Sequence, residues 1–350
     1  GLFAVLSIVD VLLKLAAVLF LQIVARDKLV AYALMLLLVA AITFCNYLIV
    51  NISLFPAARI MRIWNAKFFR SMFGFIGWSA LGYLAAAMSS QGNNILLNVF
   101  FGPVVNAGRA VSQQANGAIT NLVQNMQAAI NPQIIKQYAS GNIQLMKSLV
   151  QNGARYNFLL LLLLALPVFF NVDALLEAWL VVVPPYASAF LKLTIIASMI
   201  DSLSLPLITA AQATGRIRLY QCVVGGLLLL NVPLSYIGLR FWDSPVVVVW
   251  STIILAVIAL MARILMLKKL IDFSIEEYAL AVLTPIVFVA ALATTAVYLA
   301  AIFLADMNFV LSMVCYFTIA LLVVALVGLS RKERMYLFSM ILRIYKKASH

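Results

Sequence analysis

Apolar runs of about twenty residues recur from one end of this sequence to the other, and nothing constrains the fold more. A run of that length crosses a hydrocarbon core of about 30 Å as a helix rising about 1.5 Å per residue. No water is present there to satisfy backbone N–H and C=O groups. A crossing segment is therefore a helix, bonded within itself, or a strand of a closed barrel. The runs are continuously apolar instead of alternating, which selects helices. About ten spans are predicted, near residues 1–24, 29–50, 74–99, 105–133, 156–175, 186–213, 219–239, 246–267, 279–303 and 308–329. The expected fold class is an all-α, polytopic membrane helix bundle. Composition agrees, with 65% hydrophobic and 10% charged residues against about 25% charged in soluble domains.

The charges sort by side. Alternate connections and the tail carry 18 basic residues, among them Arg59, Arg62, Lys67, Arg70, Lys136, Lys147, Arg155, Arg216, Arg218, Arg263, Lys268 and Lys269. The opposite connections hold only Arg26, Lys28 and Arg240. The positive-inside rule puts the rich side, and with it the C-terminus, in the cytoplasm. The net charge of +13 is thus explained by cytoplasmic loops, and no nucleic-acid partner is expected. Residues 51–73, with Phe55, Ile60, Met61, Ile63 and Trp64 among four basic residues, read as a cytoplasmic amphipathic linker lying at the interface. The three cysteines, Cys45, Cys222 and Cys315, lie inside apolar runs and suggest no disulfide framework. The one histidine, His350, is at the tail. Gly1 opens inside an apolar run without a basic stretch before it, so no signal peptide is read there. The chain is expected to have lost its beginning.

One span is unlike the rest. Asn106, Arg109, Gln113, Asn116, Thr120, Gln124, Gln127 and Asn131 recur in steps of three and four, on one face of a helix. Gln114, Asn121 and Asn125 widen that face. The stripe is roughly 37 Å long at helical rise, enough to carry amides and a guanidinium from one membrane surface to the other. It cannot point at lipid. The preceding span adds Gln91, Asn93, Asn94 and Asn98, and the turn Phe101-Gly102-Pro103 joins the two into a polar hairpin. Interhelical amide bonds, worth about 0.6 kcal/mol each, need one or two such residues per interface. A dozen points instead to a water-filled cavity compatible with sugars.

The remaining intramembrane charges each need a reason. Asp10 and Lys14, at i and i+4, form either a neutralising pair or a cavity charge. Arg109 is either a snorkelling anchor or a phosphate ligand. Asp201, with Ser202 and Ser204 beside it and Pro206 freeing a carbonyl, marks either a coupling-ion and hinge site or a kink satisfied by hydroxyls. No paired-carboxylate cluster, phosphate-cradling glycine loop or metal motif is present, so no enzyme, metal or cofactor is expected.

The segment Asn93–Ala107, continuing through Asn131-Pro132-Gln133-Ile134 and Tyr138-Ala139-Ser140-Gly141, resembles oligosaccharide-lipid flippases of the multidrug/oligosaccharidyl-lipid/polysaccharide exporter superfamily. It is most similar to the lipopolysaccharide and polysaccharide export proteins of Bacteroidetes, and weaker likeness runs through Ala213-Thr214-Gly215 and Leu234-Ser235-Tyr236. The resemblance implies a MATE-like plan of two six-helix lobes working by alternating access. On that plan 1–50 hold the last two helices of an N-terminal lobe lacking its first four. Residues 74–267 make the complete C-terminal lobe, and 268–350 add two helices and a basic tail.

The function that follows is export of a polyprenyl-pyrophosphate-linked oligosaccharide across the bacterial inner membrane, for lipopolysaccharide or capsule synthesis. Asn94, Asn98, Asn106, Gln113, Asn116 and Gln124 would hydrogen-bond sugar hydroxyls, while Arg109 and Lys14 counter the pyrophosphate. Asp201 and Pro206 would couple an ion or hinge the lobe. Partners would be the lipid-linked sugar, membrane lipids and other polysaccharide assembly proteins. The rivals are a multidrug or cation antiporter of the same fold, which wants buried carboxylates, and a membrane glycosyltransferase or polymerase, which wants a long outer loop.

Overall fold

The computed structural model describes residues 2–21, 27–54, 65–304 and 307–335. The described chain is almost wholly helical and contains no strand. Its long helices are α1 (Leu2–Phe20), α2 (Lys28–Leu54), α3 (Ala66–Phe101), α4 (Pro103–Ala139) and α5 (Ile143–Phe170). A short α6 (Val172–Trp179) precedes α7 (Ala187–Ala213), and α8 (Ile217–Phe241), α9 (Val247–Ile271), α10 (Ile275–Phe303) and α11 (Phe309–Gly328) follow. Eight of these are long and apolar enough to cross a membrane. The chain is therefore a multi-pass membrane protein by length and composition of its helices. The 37-residue α4 is outside the eight because its amides lower its hydropathy, and α1, with 19 residues, is outside as well. Most of the expected linker, 55–64, and the tail beyond 335 lie outside the described residues. Residues 66–73 belong to α3.

The chain divides into two compact units, one ending at Arg70 and one beginning at Ser71. In the first, α1 and α2 form a pair that buries little besides Ala17 and Val39. Asp10 and Lys14 make an ion pair at 2.7 Å, and Thr43 on α2 donates to Asp10 at 3.1 Å. A charged pair tied to the neighbouring helix lowers the cost of placing either group in a span.

The second unit is organised on α7. One core joins α5, α7, α8 and α9 to α10 and α11; another joins α4, α5, α6 and α7; a third joins α3, α7 and α9. Small residues explain the central position, since Ala187, Ala197, Ser202, Ser204, Ala210 and Ala211 are all buried and let neighbouring backbones approach. Pro206 lies inside the helix, where the absence of a Cβ on Gly153 of α5 leaves room for its ring. At the other end, a Cβ on Gly108 of α4 would stand 2.4 Å from the Pro185 carbonyl oxygen. Glycine there brings α4 against the loop that leads into α7. Helix α8 contains a π turn at Gln221–Gly225, which sets the Gln221 side chain over Gly82 of α3. Beyond α11, Arg155 and Tyr156 of α5 both donate to the Glu333 carboxylate, tying residues 331–335 to the lobe.

Candidate functional site

The polar stripe of α4 splits into a sealed flank and an open one. Near the N-terminal end, Arg109 is only 6% exposed. Its guanidinium donates to the Asn94 amide oxygen and, at 3.4 Å, to the Ser90 carbonyl, both on α3. Asn94 in turn donates to Gln91 at 2.9 Å. Arg109 and Asn94 thus hold the hairpin together. Near the C-terminal end, Asn157 of α5 donates to Gln127 at 2.7 Å, Gln127 to Asn131 at 2.5 Å, and Thr209 of α7 to Asn131 at 2.7 Å. These side chains are closed against one another. They bind α4 to α5 and α7.

Between the two sealed clusters lies a cavity of about 440 Å³ inside the second unit. Asn116, Thr120 and Gln124 of α4 line one side, Ser198 and Asp201 of α7 another, and Arg263 of α9 a third. Asn116 donates to Ser198 at 2.8 Å, yet its amide oxygen is buried without a partner. Arg263 is 7% exposed and donates to the Tyr220 hydroxyl at 3.1 Å and to Ser204 at 2.9 Å. Asp201 is exposed, although it sits in the middle of α7, a helix with buried residues along its whole length. Open surface at such depth is what a void beside the carboxylate produces. Asp201 and Arg263 share the cavity without forming an ion pair within 4.0 Å. Val123, Leu161, Leu205, Ile208 and Leu228 complete the walls, so the polar groups face a partly apolar void in which an unpartnered carboxylate or guanidinium favours water or a small polar group.

The open flank runs along the same helix. Gln113, Gln114, Asn121, Gln124 and Asn125 are all exposed, and Gly117 between them faces open space. Asn98 of α3 is exposed as well, and Asn106 is half-buried with its amide oxygen unpartnered. Of the expected site residues, then, Asn116, Gln124 and Asp201 meet at one cavity. Gln113 is on the adjoining open flank, Arg109 and Asn94 form their own cluster, and Pro206 is buried against α5. Lys14 belongs to the first unit, where it is bound to Asp10.

Sequence reasoning missed Arg263, Ser198, Asn157 and Thr209. The residue order groups Arg263 with Lys268 and Lys269 among the cytoplasmic-side cations; its burial sets it apart from them. The usable signal was its place inside the otherwise apolar 247–267, more than one turn short of the two lysines. The chain has no match among family models, curated proteins or solved structures.

Proposed function

We propose that this chain belongs to a transporter that moves a polyprenyl-pyrophosphate-linked oligosaccharide across the bacterial inner membrane by alternating access. It is not an enzyme and needs no cofactor in this reading. The single observation that carries it is the open amide flank of α4, five exposed carboxamides at helical spacing with no described residue of their own unit over them. Each amide facing hydrocarbon without a partner would cost several kcal/mol. Such a flank belongs against a second lobe across a wet passage, where carboxamides exchange hydrogen bonds readily with water and with sugar hydroxyls.

In this scheme the enclosed Arg109 fixes the α3–α4 hairpin, so the passage wall keeps its shape. Lys14 of the first unit, ion-paired with Asp10 but with its side chain 55% exposed, is the cation for the pyrophosphate, and the lipid tail remains in the bilayer. Asp201 and the cavity behind the wall supply the coupling element, with Pro206 as the flex point next to it. The C-terminus is cytoplasmic, and the partners are the lipid-linked sugar and other polysaccharide assembly proteins. The test is export in cells making the intact protein with Gln113, Gln124 and Asn121 changed to Leu. Loss of surface polysaccharide at unchanged protein level is expected; full export would reject the assignment.

A second reading has its own observation. An exposed carboxylate in an internal cavity, Asp201, is also what a multidrug or cation antiporter of the same plan would use. That protein would tolerate the three leucines and lose cation efflux on Asp201→Asn, which separates the two.

A further inference from the structure

The start of α8 carries a feature that neither cavity nor passage uses. Arg216, Arg218, Leu219 and Cys222 surround a surface niche of about 390 Å³. All four are exposed, Leu219 by 50%. The Arg218 guanidinium lies 5.3 Å from the ring centroid of Trp78 on α3. Among the described residues neither arginine has a carboxylate within 4.0 Å, and neither guanidinium makes a hydrogen bond. The surface that lines the niche is almost wholly apolar, from Leu219, Cys222 and the carbon stems of the two arginines, where a membrane-crossing helix begins. The two guanidinium charges belong to its edge and not to its wall.

We infer that this niche binds an anionic phospholipid, its phosphate between Arg216 and Arg218 and the upper part of an acyl chain along Leu219 and Cys222. Charge complementarity argues for that occupant. The chain has 24 Lys and Arg against 11 Asp and Glu, so most of its cations must find anions outside the protein. At a membrane boundary the abundant anion is the lipid phosphate. Guanidinium groups take phosphate oxygens two at a time. A soluble anion would satisfy the rim but leave the apolar wall wet, whereas a lipid covers both. An indole under a guanidinium is also at home at headgroup depth. The π turn at Gln221–Gly225 contains Cys222 and carries Gln221 against Gly82, so the niche is framed where α8 is keyed to α3. This site does not depend on which substrate the protein carries.

The experiment uses the intact protein in neutral detergent, titrated with phosphatidylglycerol or phosphatidylcholine and read by native mass spectrometry. Phosphatidylglycerol is expected to bind preferentially. Arg216→Gln with Arg218→Gln should weaken it about thirtyfold, about fivefold per arginine. Arg331→Gln with Lys332→Gln, a basic pair away from the niche, should leave it unchanged, and Arg216→Lys with Arg218→Lys should keep most of the binding. A photoreactive phosphatidylglycerol should crosslink within residues 216–222. Equal losses from both Gln pairs, no preference between the lipids, or crosslinks elsewhere would overturn the site. Displacement of the lipid by glycerol phosphate at equal concentration would overturn the choice of a lipid in favour of a soluble phosphate.

Discussion

Arg263 and Asp201 set the character of the internal cavity, and neither is explicable alone. Arg263 is held by two neutral hydroxyls, those of Tyr220 and Ser204, and faces a void whose walls, among the described residues, carry one carboxylate, Asp201. If each stabilises the other's charge across the void, removing one leaves the other uncompensated. We therefore expect Arg263→Leu to destabilise the protein more than the double variant Arg263→Leu with Asp201→Asn. The coupling should be about 0.5–3 kcal/mol by a double-mutant cycle of unfolding; additive losses would show that the two charges ignore each other. A second residue-scale expectation concerns packing. A methyl group at Gly108 meets the Pro185 carbonyl oxygen at 2.4 Å, and backbone cannot yield as a flexible side chain does. Gly108→Ala should cost about 1–3 kcal/mol in thermal unfolding, whereas Gly117→Ala, in open space, should cost nothing.

Helix α4 shows how one element serves two environments. Its sealed flank is bonded to α5 and α7, and the amides of its open flank make no side-chain hydrogen bond among the described residues. Substitutions on the two flanks should separate stability from activity. Asn157→Leu strips Gln127 of its donor inside a dry cluster and should cost about 0.6–1.7 kcal/mol. Asn121→Leu on the open flank should leave unfolding within about 0.5 kcal/mol and lower export. The turn beyond α11 gives a pH-dependent counterpart. Burial raises the Glu333 carboxyl, but hydrogen bonds from Tyr156 and Ser330 and the Arg155 guanidinium outweigh it, holding it below the ordinary value of 4.5. A carboxylate favoured in the docked state contributes above its ordinary value, and that contribution fades as pH falls through the depressed one. Protection of the 331–335 amides, relative to their intrinsic exchange at each pH, should therefore be high at neutral pH and lost well below pH 4.5, and Glu333→Gln should be unprotected at both. Protection in that variant would show that the carboxylate does not hold the turn.

At the scale of the molecule, the question is what lies opposite the open flank. The second unit has apolar surfaces fit for lipid, such as Leu229 and Leu230 on α8, and one surface, that of α4, unfit for it. Water access distinguishes them. With Cys45, Cys222 and Cys315 replaced by Ser, Gln124→Cys should react with a charged, membrane-impermeant thiol reagent, and Leu230→Cys should not. Protection of the Gln124 position in intact membranes would mean that protein covers the flank and no passage runs beside it.

Much of this was legible in the residue order. Continuous apolar runs dictated helices because lipid offers the backbone no other bonds, and steps of three and four put the α4 amides on one face because a helix turns by fixed increments. Residues as separate as Asn116 and Asp201 both stand out in the residue order as polar groups needing a reason, but nothing in that order brings them to one cavity. Periodicity fixes which side chains share a face but not how far each helix rotates against its neighbours, and that rotation closed Gln127 and Asn131 onto α5 and α7 while leaving Gln124 open. Arg263 is the clearest case: a long side chain near a span's end can reach water or fold inward. Only the hydroxyls of Tyr220 and Ser204, brought to it by two other helices, decided that it stays inside.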